Sequence, residues 1–253
     1  MNHNTARHHI RPMWVSGFIM AVAVLFAVLT PAAASAARLN DKIENRPYAD
    51  LRRWHLGFSI GVHTQGLRFA HNGFITDDGQ QWRAEQVNYQ PGFSVSGLIS
   101  LRLNTYFSLR FSPGMMFGSR DIRFLDINNG TEERQNIKST YVTLPIDLKF
   151  AAQRVRNARP YLVGGVMPAF DVSKKRNDLL KLSSSDMFIT VGFGCDFYLP
   201  YFKLIPELKF CFGLRDVLVH DRPELADDPS RYKYTQSISK ATSKMICLTF
   251  YFE

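Results

Sequence analysis

Beyond residue 36, this 253-residue chain holds no apolar run long enough to cross a bilayer as a helix. If that part enters a membrane, it must do so as a closed barrel, because lipid offers no partner to an unpaired backbone edge. The chain has only three cysteines, Cys195, Cys211 and Cys247, with no CxxC and no metal-ligand spacing. No glycine-rich phosphate loop is present, so neither a cofactor nor a bound metal is expected. The residues weighed for catalysis, His63, His71, Ser119, His220 and Asp221, form no nucleophile–base–acid motif, and no enzyme is expected. Acidic residues are in the minority, 22 against 31 lysines and arginines, for a formal charge of +9. In an exported chain this balance points to anionic surfaces such as lipopolysaccharide phosphates and not to nucleic acid.

The one long apolar run lies at the start. Arg7 and Arg11 precede an apolar stretch from Met13 to Leu29, and Ala34-Ser35-Ala36 offers a small-residue cleavage site. The expected organisation is a signal peptide over 1–36, a periplasmic segment over 37–53 and a barrel over 54–253.

What fills the rest is alternation. Trp54, Leu56, Phe58, Ile60 and Val62 share one face, with His55, Gly57, Ser59, Gly61 and His63 on the other. The same period of two recurs over 93–103, from 106 through Phe117, and over 139–150, 186–198, 202–214 and 244–253. A fifth segment, 160–172, is apolar or glycine in both phases. This predicts an all-β, eight-stranded antiparallel transmembrane barrel of the outer-membrane type. Connections alternate between long and short, which predicts both termini on the periplasmic side. Trp54, Phe107, Phe150, Tyr161, Phe197, Phe202 and Phe252 fall at the strand ends on that side, as an interfacial collar would.

The second phase carries charge: Arg102, Arg110, Asp147, Lys149, Asp196, Lys203, Glu207 and Lys209. An eight-stranded lumen is wide enough only for side chains, so these charges must pair. Arg110 with Asp147 and Asp196 with Lys203 are the expected pairs, in a structural ion network. Gly57, Gly61, Gly192 and Gly194 share that phase and give space. Cys211 and Cys247 also share it, on neighbouring strands, compatible with a disulfide or with two small core side chains. The connection before the last strand is unusually apolar at Leu214, Arg215, Asp216, Val217, Leu218 and Val219. It is a candidate partner loop or a segment that folds over the barrel mouth, and equally an extension of the strand pair above the membrane.

Several segments together resemble a known family: His55 to Val62, Pro91 to Val95, Leu101-Arg102-Leu103 with Leu109-Arg110-Phe111, Tyr141 to Phe150, Pro160-Tyr161-Leu162, Gly213 to Leu218, and Leu248 to Glu253. The chain is similar in these to the PorT (SprT) family of Bacteroidetes. The resemblance implies an outer-membrane barrel needed for type IX secretion, the route of gingipain-like proteases and gliding adhesins, with no catalytic residues. A filled barrel would act there as an accessory or assembly component, its loops or the 37–53 segment contacting other secretion components.

Overall fold

The computed structural model describes residues 45–74, 79–88, 90–128, 130–173, 180, 182–219 and 237–253. The expected signal peptide and residues 37–44 lie outside the described residues, as do His220 and Asp221. Eleven strand segments follow in order: β1 (Trp54–His71), β2 (Trp82–Asn88), β3 (Pro91–Arg102), β4 (Phe107–Phe111), β5 (Gly114–Asp126), β6 (Glu132–Thr143), β7 (Ile146–Ala151), β8 (Ala158–Asp171), β9 (Ser185–Tyr198), β10 (Lys203–Gly213) and β11 (Ile238–Phe252).

These eleven segments make eight spans. Pro113 separates β4 from β5 and Pro145 separates β6 from β7, because proline has no N–H to give a ladder. The pairing line passes through unbroken. On the same register Ile99 faces Phe111 and Ser96 faces Gly114, and the Gly97 amide donates to the Pro113 carbonyl at 2.9 Å. Between β2 and β3 the line does shift. Phe93 faces Phe117, so an unbroken strand would set Gln86 opposite Phe124, but Gln86 faces Ile122.

The sheet closes because β1 pairs with β3 on one side and β11 on the other, antiparallel throughout. The stagger can be read by walking once around the ring. His63 faces Cys247, then Lys209, Gly192, Val163, Lys149, Ser108 and Arg102 in turn. The Arg102 amide donates to the carbonyl of Arg53, ten residues (63 − 53) before the start. That offset is the shear that tilts the strands and fixes a narrow bore.

Outward positions form an apolar belt: Trp54 to Val62 on β1, Phe93 to Leu103, Phe107 to Phe117, Ile146 to Phe150, and Phe250 to Ile246 on β11. On β1 the belt runs about 30 Å along the strand, which tilt reduces to roughly the 25 Å of an outer-membrane barrel. Aromatic rings gather at the end where β1 begins and β11 finishes, with Phe107 against Phe150 at 5.1 Å and Phe202 against Phe252 at 5.9 Å. Tyr161 is not in this collar. Its neighbour Leu162 takes the outward phase, and Tyr161 points into the lumen, 4% exposed.

At the far edge of the belt the polarity inverts. Below it, apolar residues face out and polar ones in. Beyond it, Arg68, Asp121, Arg123, Arg134 and Lys138 take the outward phase while Leu67, Ile122, Phe124 and Ile137 point in. Several long connections expected from the sequence are therefore largely strand, since β1 and β2 cover 64–71 and 82–88, and β5 and β6 stay paired as far as Leu125 and Glu132. Gln86 completes this region. Where β1 leaves β3, its side-chain amide accepts from the Leu67 N–H at 2.7 Å and donates to the Gln65 carbonyl at 2.9 Å, replacing missing ladder bonds.

Replacing Gln86 with Ala leaves that donor and acceptor without their partner, at about 1 kcal/mol for each bond. We expect hydrogen exchange at Leu67 to accelerate about tenfold, with the belt-level amides of β1 unchanged. Equal acceleration along the whole of β1 would show that the side chain supports the barrel globally and not this edge.

Candidate functional site

The lumen is filled in three layers. Nearest the end where β1 begins and β11 finishes lies an ion network, built because β4, β7, β9 and β10 each place charged residues in the inward phase. Arg110 meets Glu207 at 2.7 Å, Glu207 meets Lys209 at 3.1 Å, and Lys209 meets Asp147 at 2.6 Å. A second chain runs from Lys149 to Asp196 at 2.7 Å, Asp196 to Lys203 at 3.9 Å, and Lys203 to Glu253 at 2.8 Å. Each chain alternates in sign, so four cations meet four carboxylates. Tyr161 joins them. Its hydroxyl donates to Glu207 at 2.7 Å, and its ring faces the Lys149 ammonium at 4.0 Å. The Arg110 guanidinium also lies over Tyr251, 4.4 Å from the ring centroid. Thr190 donates to the second oxygen of Asp147 at 2.8 Å.

The residues predicted for this network are brought together with two corrections. Arg110 and Asp147 face each other in the ladder, yet their ion-pair partners are Glu207 and Lys209. Long side chains in a narrow bore reach the opposite wall more readily than the residue beside them. Arg102 is not in the network. It turns toward the rim, where it donates to the backbone carbonyls of Asp50 and Asn104. The fourth carboxylate, Glu253, was not among the predicted residues. Burial pushes its carboxyl up, but the hydrogen bond with His55 and the charge of Lys203 outweigh this and hold it down to about 2. Tyr161 and Tyr251 were also missed, although the inward phase of β11 marks Tyr251.

The middle layer holds His63, Gln65, Arg120 and Tyr141, all buried. Arg120 donates to Tyr141 at 2.8 Å and to Gln65 at 3.3 Å, and Gln65 contacts His63 at 3.0 Å. Beside them sit Met116, Met167, Met245 and the free thiols of Cys211 and Cys247. Register sets Cys211 opposite Met245 and Cys247 opposite Lys209, so the two cysteines are diagonal neighbours. Gly194 makes room between the layers. A Cβ there would meet the Tyr161 hydroxyl at 2.5 Å and the Pro206 carbonyl at 2.6 Å.

The third layer, beyond the belt, is apolar: Leu67, Trp82, Ala84, Ile122, Phe124, Ile137, Leu180, Leu182, Val217, Leu218, Ile238 and Ala241. The apolar connection after β10 thus enters the mouth. Val217 and Leu218 are 3% and 5% exposed, and Leu218 bridges to Leu182. Asp216 secures it by accepting from the amides of Leu218 and Ala241, both at 3.0 Å. Leu214, Arg215 and Asp216 face solvent, and Val219 is half-buried.

The other mouth is crossed by residues 45–51. Asp50 accepts from the Tyr198 hydroxyl at 2.6 Å and lies 3.6 Å from Arg159, while its carbonyl accepts from Arg102 on β3. Arg46 donates to the Glu253 carbonyl, and Asn45 to Asn157 and the Tyr198 carbonyl. The described part of the expected 37–53 segment is therefore held by the barrel itself. Two voids of about 30 Å³ each lie among the described residues of the lumen, one beside the ion network and one beside the cysteines. Each has room for a water or two.

Residues 36–219 match the family model described as "Outer membrane protein beta-barrel domain". Among solved structures, the chain is similar to the N-terminal β-barrel domain of Pseudomonas aeruginosa OprF, at 13% identity over 77% of this chain and 97% of that one, with a TM-score of 0.34. It is similar to Yersinia pestis Ail in complex with the heparin analogue sucrose octasulfate, at 11% identity over 79% and 99%, TM-score 0.35. Outer membrane protein AlkL, in DMPC bilayers, matches at 11% identity over 84% and 97%, TM-score 0.39. No curated protein matches by sequence.

Removing one member of the network strands its partners. Glu207→Ala leaves Arg110 without its ion-pair partner and Lys209 with Asp147 alone. We expect a loss of about 3–5 kcal/mol in urea unfolding from lipid vesicles. Arg110→Met combined with Glu207→Leu should lose less than Glu207→Ala alone. A double variant worse than the sum of its singles would mean that the network stabilises in excess of its desolvation cost.

Proposed function

The chain belongs to the outer membrane protein β-barrel domain family, and from that premise we propose that it is a filled platform in the bacterial outer membrane, with both termini on the periplasmic side. The observation that carries this reading is the lumen: ionic, mixed and apolar layers occupy it from one mouth to the other. Among the described residues no path for a polypeptide remains, and in this reading what the protein does is done by its ends and its outer surface.

Within that role we propose an accessory or assembly function in type IX protein secretion. The support is the sequence resemblance over Trp54 to Glu253, and the filled lumen agrees with assistance and not conduction. The partners in this reading are the surrounding lipopolysaccharide and other secretion components, met through the solvent-facing Leu214 to Asp216 or the 37–44 stretch.

Deleting the gene in its host should abolish accumulation of secreted cargo in the medium and leave the cargo in the periplasm. Wild-type secretion in the deletion strain would refute the secretion role and leave a structural or adhesive barrel. The purified protein should give no steady conductance in planar bilayers, and stable open channels would contradict the filled platform.

A further inference from the structure

Four inward-facing sulfur side chains line one void of the lumen. This is the void of about 30 Å³ beside the cysteines, bounded by Met116 on β5, Met167 on β8, Cys211 on β10 and Cys247 on β11. Met245 packs into the same cluster. The four come from separate strands of the ring, so no spacing in the sequence reveals them. Both thiols are free, and they are buried at 1% and 2% exposure. A side-chain hydrogen bond links one to the other. Sulfurs in such contact stand about as far apart as two thiolates that share one ion.

The chemistry of this donor set is narrow. Thiolates and thioethers are soft donors, and they select copper(I) over hard cations. Zinc takes thiolate, imidazole or carboxylate at four corners, a set that thioethers do not complete. Among the described residues, no group of three or more histidine, cysteine, aspartate and glutamate side chains is placed to hold a metal. Copper(I) on two thiolates carries one net negative charge, and Lys209 lines the same void.

We propose that Cys211 and Cys247 bind one copper(I) ion, with the thioethers of Met116 and Met167 completing its shell. Binding forms two copper–thiolate bonds and releases the two thiol protons. The ion stays copper(I) throughout, so no oxidant or reductant is consumed. The ion network closes the bore on one side of the site and the apolar layer closes it on the other. The ion is therefore held and not conducted. It ties β10 and β11 to β5 and β8 across the bore, in agreement with a filled lumen.

Because the site is enclosed, the test supplies the ion as the barrel closes. The full barrel is refolded in detergent micelles without oxygen, in copper(I) buffered by bicinchoninate, and bound ion is counted by native mass spectrometry. The wild type should retain one ion per chain, with sulfur alone in the first shell by X-ray absorption. Cys211→Ser and Cys247→Ser should each lose the ion, and Met116→Leu and Met167→Leu should each weaken binding about tenfold. Cys195→Ser, whose thiol lies in the outward phase of β9, should bind as the wild type does. Heat-shifted gel mobility checks that every variant is folded, and the methionine variants carry the test if a cysteine variant does not fold. A wild type that retains no ion, retention by both cysteine variants, nitrogen or oxygen in the first shell, or unchanged binding by both methionine variants would each overturn the proposal. So would a Cys211–Cys247 disulfide in protein extracted from membranes with its thiols blocked.

Discussion

The constraint on which the rest depends is closure of eight spans with a stagger of ten residues. It sets a bore that side chains fill, and every inward residue must then find its partners within that bore. A charge that would be solvated on a sheet surface is here desolvated by the opposite wall. Burying such a charge alone costs several kcal/mol even after relaxation. The response is near-complete neutralisation: two chains of alternating sign, joined through Tyr161, with four cations and four carboxylates. Glycines allow it geometrically. Gly194 admits the Tyr161 hydroxyl, and Gly192 lies where a Cβ would strike the Leu208 carbonyl.

Closure also explains the change of layer along the axis. Within the belt the outer wall meets lipid, so apolar residues serve outside and polar ones are tolerated inside only when paired. Beyond the belt the outer wall meets water, and the ordinary preference returns: charge outside, Leu67, Phe124 and Val217 within. The sheet continues through both environments, and the side-chain polarity reverses while the strand period does not. The far mouth thus seals itself with a hydrophobic core. The near mouth, where charges end, is sealed by hydrogen bonds and ion pairs from residues 45–51.

That inversion decides what could be read in advance. Strand number, phase and the inward set from Arg110 to Lys209 were legible because belt residues alternate strictly. The upper halves of β1, β5 and β6 were not, because their apolar phase is the opposite one and looks like loop to a reading tuned to an apolar outer face. Tyr161 was misplaced because β8 is apolar or glycine in both phases, so its phase gives no signal. Pairing was misjudged at Arg110 because sequence reveals neighbours along the ladder, while the partner Glu207 lies across the bore. Arg120 was missed because its strand was expected to end near Phe117.

A sealed axis leaves surface as the only route to action, and the surface is not uniform. On the β2–β5–β6 side, acids and bases are matched one against another, so that side needs nothing from outside. On the β1–β11 side the same height carries Arg68, Lys240 and Lys244 above an uninterrupted apolar strip. What distinguishes this face is position. Exposed basic side chains on this face stand at the line where the apolar belt ends. Inside, the ion network is neutral within itself, so along this axis charge meets the protein's surroundings through the outer wall and the rims.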